Sequence, residues 1–80
     1  MRKFFFDSAA LGENTVEYSL VTCADRGEYG ILVESGGEQA LIPAISVSRF
    51  RVQELLGLMC RGLVTPVTAR DVTEDWLAAI

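Results

Sequence analysis

The chain has 80 residues, of which 50% are hydrophobic, and its formal net charge is −4 at pH 7. This length indicates one domain with a small core, and the hydrophobic content excludes an intrinsically disordered chain. The acidic charge argues against general nucleic-acid binding, which needs a basic face, and no apolar run approaches the ~20 residues of a membrane span.

The N-terminal segment, residues 1–14, shows no clear period. Three phenylalanines, Phe4, Phe5 and Phe6, precede a loop-like stretch of small residues. Asp7 ends the apolar run too early for a signal peptide, so we expect a cytoplasmic protein that binds no membrane. We predict that residues 1–14 form either an arm or an extra strand, and that residues 15–80 form the single domain.

Two segments alternate between apolar and polar residues with the period of a β-strand, Thr15–Thr22 and Glu28–Ser35. Turn residues at 24–27 separate them, so we predict a hairpin. With this loop, apolar side chains pair on one face, as cross-strand stabilisation requires. The predicted pairs are Tyr18 with Val33 and Leu20 with Ile31.

Gly36 and Gly37 follow the second strand and suit a type I′ turn, in which both central residues need a positive φ. The third strand is therefore predicted over Glu38–Ile45. Pro43 has no N–H to donate, which favours an edge position for this strand. A two-residue turn pairs Ile31 with Ile42 and Leu32 with Leu41.

The period then changes to that of an amphipathic helix. Ser48 is the predicted N-cap of this helix, and Gly62 is expected to end it in a left-handed conformation. A second helix is predicted to begin at Thr68, with Asp71 completing a capping box, and its apolar stripe contains Val72, Trp76 and either Ala79 or Ile80.

The predicted fold class is thus α+β, a three-stranded antiparallel meander followed by two helices packed on one face of the sheet. Apolar residues of both layers should form the core. The expected members are Val16, Tyr18, Leu20, Ile31, Val33 and Ile42 from the sheet, and Leu55, Leu56, Met59 and Trp76 from the helices.

Residues with catalytic potential do not combine into a recognisable site. The chain has no histidine, so neither a Ser–His nor a Cys–His pair can form. Cys23 and Cys60 are predicted to be reduced thiols that pack as small hydrophobic side chains. Helix capping and the helix dipole account for the acidic residues of the last helix, Asp71, Glu74 and Asp75. We therefore predict no catalytic residue, no cofactor and no metal site.

The outer face of the predicted sheet, on the side away from the helices, carries Val21, Leu32 and Leu41. A solvated sheet face should be polar, so these residues need an explanation. Either the segment with the three phenylalanines covers them, or they contact a second copy or another protein, or the register is shifted. The candidate interface residues are Val21, Leu32, Leu41, Phe4, Phe5 and Phe6.

Three segments carry a resemblance to a known family, Val16–Leu20, Tyr29–Val33 and Thr65–Leu77. Over residues 15–77 the chain resembles a small uncharacterised family of bacterial proteins, a domain of unknown function found mainly in Gram-positive anaerobes. The family pattern often has a histidine where this chain has Thr68. The resemblance implies a bacterial cytoplasmic protein and brings no established activity.

The leading functional hypothesis is a non-enzymatic module that binds itself, as a homodimer, or an unidentified protein partner. The alternative is a small regulatory nucleic-acid-binding protein that uses the arginines of the helical half. These are Arg49, Arg51, Arg61 and Arg70. An enzyme that uses the carboxylates of the last helix is the third hypothesis.

Overall fold

The computed structural model of the protein describes residues 1–23 and 25–79. Within these residues four strands precede two helices: β1 Arg2–Leu11, β2 Asn14–Cys23, β3 Glu28–Ser35, β4 Glu38–Ser46, α1 Arg49–Arg61 and α2 Pro66–Ala78. The strands form one antiparallel sheet in the order β1-β2-β3-β4. The α+β class is confirmed, whereas the prediction of three strands is wrong because the N-terminal segment adds a fourth.

The irregular pairing of β1 explains why the sequence did not clearly indicate this fourth strand. It pairs with β2 from Arg2 to Leu11, but the register shifts between Phe5 and Asp7. Such a bulge inserts one residue, here Phe6, and therefore interrupts the two-residue alternation by which a strand is recognised. Of the two alternatives for the N-terminal segment, the structure contains the extra strand.

The predicted registers of the other strands are confirmed. Gly36 and Gly37 have φ values of 56° and 84°, as a type I′ turn requires. Strand β4, which contains Pro43, lies at an edge of the sheet. Ala24 of the turn between β2 and β3 lies outside the described residues. The confirmed pairs are Tyr18 with Val33, Leu20 with Ile31, Ile31 with Ile42, and Leu32 with Leu41.

Helix α1 begins as predicted and ends differently. The Ser48 side chain accepts a hydrogen bond from the backbone N–H of Arg51. The left-handed residue at the other end is Leu63, with φ 53°, whereas Gly62 has φ −87°. The N–H of Val64 donates to the carbonyl of Met59, which completes a Schellman motif one residue later than predicted. Leu63 and Val64 pack against the core, and this burial offsets the cost of a non-glycine residue there.

Helix α2 begins at Pro66, with Thr65 as its N-cap, so the predicted start at Thr68 is wrong. Proline suits the first position of a helix because its fixed φ is helical and its missing N–H has no partner there. Thr68 therefore lies inside the helix and does not cap it. Ile80, a candidate for the apolar stripe, lies outside the described residues, and Trp76 is half-buried.

The core lies between one face of the sheet and the two helices, as predicted. Helix α1 packs on β1, β2 and β3, and α2 packs mainly on β4. No described helix is long and apolar enough to cross a membrane. The buried core consists of Val16, Tyr18, Leu20, Ile31, Val33, Ile42, Val52, Leu55, Leu56, Met59 and Ala69, and Trp76 is among the partly buried residues against it.

Candidate interaction surface

The outer face of the sheet carries a row of side chains that crosses all four strands. Phe5 pairs with Ser19, Ser19 with Leu32, and Leu32 with Leu41. Directly paired residues of antiparallel strands point to the same side of the sheet. These four residues, which we call the outer row, therefore lie together on the side away from the helices.

Three of the four residues of the outer row are apolar, and they differ in exposure. Phe5 is 61% exposed and Leu41 is 39% exposed, while Leu32 is half-buried. Ser19 lies between Phe5 and Leu32 and is only 1% exposed, so these larger neighbours stand on either side of it. The exposed apolar surface of the row therefore comes from Phe5, Leu41 and part of Leu32, and Ser19 contributes almost none.

Val21 lies on the same face but is only 2% exposed, which was not expected. It pairs with Gly30, and a Cβ added to Gly30 would overlap the carbonyl oxygen of Ile42 and lie 2.6 Å from the Cα of Pro43. Strand β4 is irregular here, and Ala44 has a positive φ of 57°. The backbone of β4 therefore covers the part of the outer face next to Val21, and the Val21 side chain has little exposed surface that a partner could contact.

The three phenylalanines of β1 point to different surroundings. Phe4 pairs with Leu20, an inner-face residue, and its ring lies 5.3 Å from the guanidinium of Arg2. Phe6 lies in the bulge on the side of α1, near Gly57. Phe5 alone joins the outer row. Because β1 extends the sheet at its edge, the alternative in which this segment covers the outer face is not found.

Charged residues flank the outer row unequally. On one side Glu17 pairs with Glu34, which places two carboxylates next to each other. On the other side Lys3 pairs with Val21, and its Nζ lies 3.2 Å from the Oε1 of Glu34. This ion pair is partly exposed and contributes at most about 1 kcal/mol to stability. Because Lys3 and Glu34 belong to opposite sides of the row, their ion pair crosses the row near Ser19, and the acidic side keeps Glu17 beside it.

A second surface feature lies on the helix side. A groove of about 550 Å³ combines aromatic and leucine side chains with two arginines, and Glu54 also lines it. Within the described residues, Arg49, Arg51, Arg61 and Arg70 are exposed and none forms an ion pair with a carboxylate. Arg49 and Arg70 do not line the groove. Its apolar and basic residues are Phe6, Phe50, Arg51, Leu58, Arg61 and Trp76.

Burial affects two groups that can ionise, the Cys60 thiol and the Tyr18 hydroxyl. Burial raises the pKa of the Cys60 thiol, and the Asp7 carboxylate raises it further, so the thiol stays protonated near neutral pH. Burial also raises the pKa of Tyr18 to about 12, and its hydroxyl donates a hydrogen bond of 2.6 Å to the carbonyl of Val64. Cys23 and Cys60 are free thiols. Among the described residues, no group of three or more Cys, Asp or Glu side chains is placed to hold a metal ion.

Comparison with known proteins gives one match. Residues 6–79 match the model of a family of unknown function, DUF6514. No curated protein and no solved structure matches the chain. The match covers most of β1 and all of the elements from β2 to α2, so it includes the outer row except for Phe5.

Proposed function

The chain belongs to the family of unknown function DUF6514, and we propose that it is a non-enzymatic interaction module that docks a protein on the outer face of its sheet. The single observation that carries the proposal is the apolar outer row, which crosses the whole sheet on the face that no helix covers. The proposal places the protein in the bacterial cytoplasm, in line with the resemblance of its strand and α2 segments.

The composition of the outer row supports docking of a protein in preference to a small molecule. Small-molecule sites are concave and enclose most of their ligand, whereas the outer row is spread over four strands of a sheet. Aromatic and aliphatic side chains at the centre of a patch and charged residues at its rim are typical of protein interfaces. Phe5 and Leu41, on the two edge strands, supply the most exposed apolar surface, Glu17 lies beside the row, and the Lys3–Glu34 ion pair crosses it.

Two double variants test this proposal. Leu32→Asp with Leu41→Asp places two charges in the outer row, and Val67→Asp with Leu77→Asp makes the same changes at exposed residues of α2. We expect the tagged wild type and the α2 variant to retain the same proteins from a bacterial extract, while the outer-row variant loses them. Circular dichroism checks that all three are folded. If all three retain the same proteins equally well, the outer face is not the docking surface.

A second candidate function, binding of a nucleic acid, is favoured by the groove on the helix side. There Arg51 and Arg61, which form no ion pair among the described residues, lie beside Phe50 and Trp76. Guanidinium groups attract phosphates and aromatic rings stack on bases, although the net charge of −4 opposes this function.

A gel-shift assay with mixed RNA and DNA at low salt tests the second candidate. A nucleic-acid-binding groove predicts a shift that is lost in Arg51→Ala with Arg61→Ala. The matched control is Arg26→Ala, which removes a positive charge from the turn between β2 and β3. The absence of any shift for the wild type under these permissive conditions removes this candidate.

A further inference from the structure

We propose that the protein docked on the outer face is a second copy of the same chain, so that two sheets pack face to face with the helices outside. This inference rests on the proposed docking function and names its partner.

The outer face is large enough for a dimer. With strands about 4.8 Å apart and a rise of about 3.3 Å per residue, four strands of eight to ten residues cover about 19 Å by 30 Å. This is about 570 Å² in projection, and protruding side chains such as Phe5 increase the accessible area. Specific interfaces at the smaller end of the observed range bury on the order of 600 Å² per partner. We therefore expect a dimer of modest affinity.

The edges of the sheet are poorly suited to pairing, which favours association through the face. An exposed edge strand can add a strand from another chain unless it is irregular or blocked. Strand β1 carries the bulge between Phe5 and Asp7. Strand β4 carries Pro43, which lacks an N–H, and Ala44 with a positive φ.

The charges flanking the outer row select one arrangement of the two copies. A twofold axis that runs along the row, between the sheets, places each apolar side chain beside its own copy. It also places the side of the row that carries Glu17 and Glu34 over the side of the second copy that carries Val21 and Gly30. Glu17 then lies over Val21 of the second copy and Glu34 over its Gly30, so the carboxylates of the two copies stay apart. An axis parallel to the strands would instead lay Glu17 over Glu34 of the second copy and bring like charges together.

The solution mass of the protein tests the inference. It is measured by light scattering after gel filtration, at concentrations from about 5 to about 200 µM, which are on the order of the Kd of a weak dimer. The wild type should shift from monomer to dimer across this range. Leu32→Asp with Leu41→Asp should remain monomeric, and Val67→Asp with Leu77→Asp should behave like the wild type. Leu41→Asp alone, at a residue that is already 39% exposed, repeats the test if the double variant does not fold.

Glu17→Lys tests the orientation of the two copies. It removes the like-charge pair with Glu34 within one chain, so the monomer should unfold no more easily than the wild type. With the axis along the row, residue 17 lies over Val21 of the other copy, so the dissociation constant should change less than about twofold. With an axis parallel to the strands the new lysine would lie over Glu34 of the other copy, and the dimer should become about fivefold tighter, which corresponds to about 1 kcal/mol.

The outcomes separate this inference from the function on which it rests. A wild type that stays monomeric at 200 µM overturns self-association, while loss of captured proteins in the outer-row variant would still support docking of a different protein. A dimer that persists in Leu32→Asp with Leu41→Asp also overturns the inference, since association would then use another surface. A dimer that Glu17→Lys makes about fivefold tighter overturns the proposed axis.

Discussion

Replacing Tyr18 with phenylalanine tests the bond that joins the sheet to the connection between the helices. The Tyr18 side chain is fully buried in the core. Its hydroxyl donates to the carbonyl oxygen of Val64, 46 residues further along the chain, at 2.6 Å. Phenylalanine keeps the ring and its packing and removes the hydroxyl alone.

The expected magnitude follows from the surroundings of the two partners. A typical intramolecular hydrogen bond contributes about 0.5–1.5 kcal/mol, and leaving a buried acceptor without a partner costs about 1–3 kcal/mol. Val64 is half-buried, so water reaches its carbonyl only in part. We therefore expect Tyr18→Phe to lower the free energy of unfolding by about 1–2 kcal/mol.

The matched control is Tyr29→Phe, because Tyr29 is half-buried and its hydroxyl forms no hydrogen bond with the rest of the described chain. This change should cost less than about 0.5 kcal/mol. Urea unfolding followed by circular dichroism measures both variants. A lower midpoint with an unchanged slope indicates a loss of stability without a change in the surface exposed on unfolding. Equal midpoints for Tyr18→Phe and the wild type would refute the role assigned to this bond.

The raised pKa of the Tyr18 hydroxyl predicts that the free energy of unfolding depends on pH. Burial foremost, and the Cys60 thiolate after it, raise the pKa of Tyr18 from 10.0 to about 12 in the folded chain. Between these values the unfolded chain has lost a proton that the folded chain keeps, so stability falls as the pH rises. The advantage of the wild type over Tyr18→Phe should therefore be full below pH 10 and shrink towards pH 12. An advantage that stays constant across this range would contradict the raised pKa.

Two further predictions concern glycines and helix caps, and urea unfolding checks both. Gly30→Ala should cost about 3 kcal/mol because its Cβ would lie 2.6 Å from the Cα of Pro43, and backbone must move. Gly57 lies within α1, and a Cβ there would meet only the ends of the Arg61 and Phe6 side chains. Gly57→Ala should therefore stabilise the fold by up to about 1 kcal/mol. Equal effects of Gly30→Ala and Gly57→Ala on the free energy of unfolding would contradict this expectation. Ser48→Ala should cost about 1 kcal/mol, since Ser48 caps α1 through its side chain. Thr65→Ala should cost clearly less, since Thr65 makes no side-chain cap bond, and a larger loss at Thr65 would refute the assignment of the caps.

The sequence predicted those parts of the fold that depend on local pattern. The alternation in β2 and β3 and the two glycines after β3 determine which residues face each other, and the registers agree with the prediction. The start of α1 was also predictable, because Ser48 precedes an apolar pattern with helical spacing. At these positions local propensity and tertiary packing favour the same structure.

The missed features are those in which a local signal competes with another or with packing. The bulge at Phe6 removed the alternation that would have indicated β1. Thr68 and Asp71 resemble a capping box, but Pro66 fits the first position of α2 better. The left-handed residue is Leu63 and not Gly62, at a point where Tyr18 bonds to Val64 from the sheet.

The outer face was predictable only in part for the same reason. The position of Leu32 and Leu41 follows from the turn at the two glycines, and it is observed. The contribution of Phe5 depends on the pairing of β1, which the sequence did not indicate. Val21 is buried because the backbone of β4 packs against Gly30 on this face, and no sequence pattern predicts such a tertiary contact. The only sequence signal is the glycine itself, because a glycine within a strand indicates that another backbone segment approaches closely.

The order of the strands has a consequence for how fast the chain folds. Each strand pairs with its neighbour in sequence, and the connections are as short as residues 12–13 and 36–37. Contacts between residues close in sequence lose little loop-closure entropy, and proteins rich in them fold quickly. We expect the sheet to form in a single kinetic phase on the order of milliseconds. Docking of the helices, which brings Val64 to Tyr18, closes a much longer loop and should therefore come late.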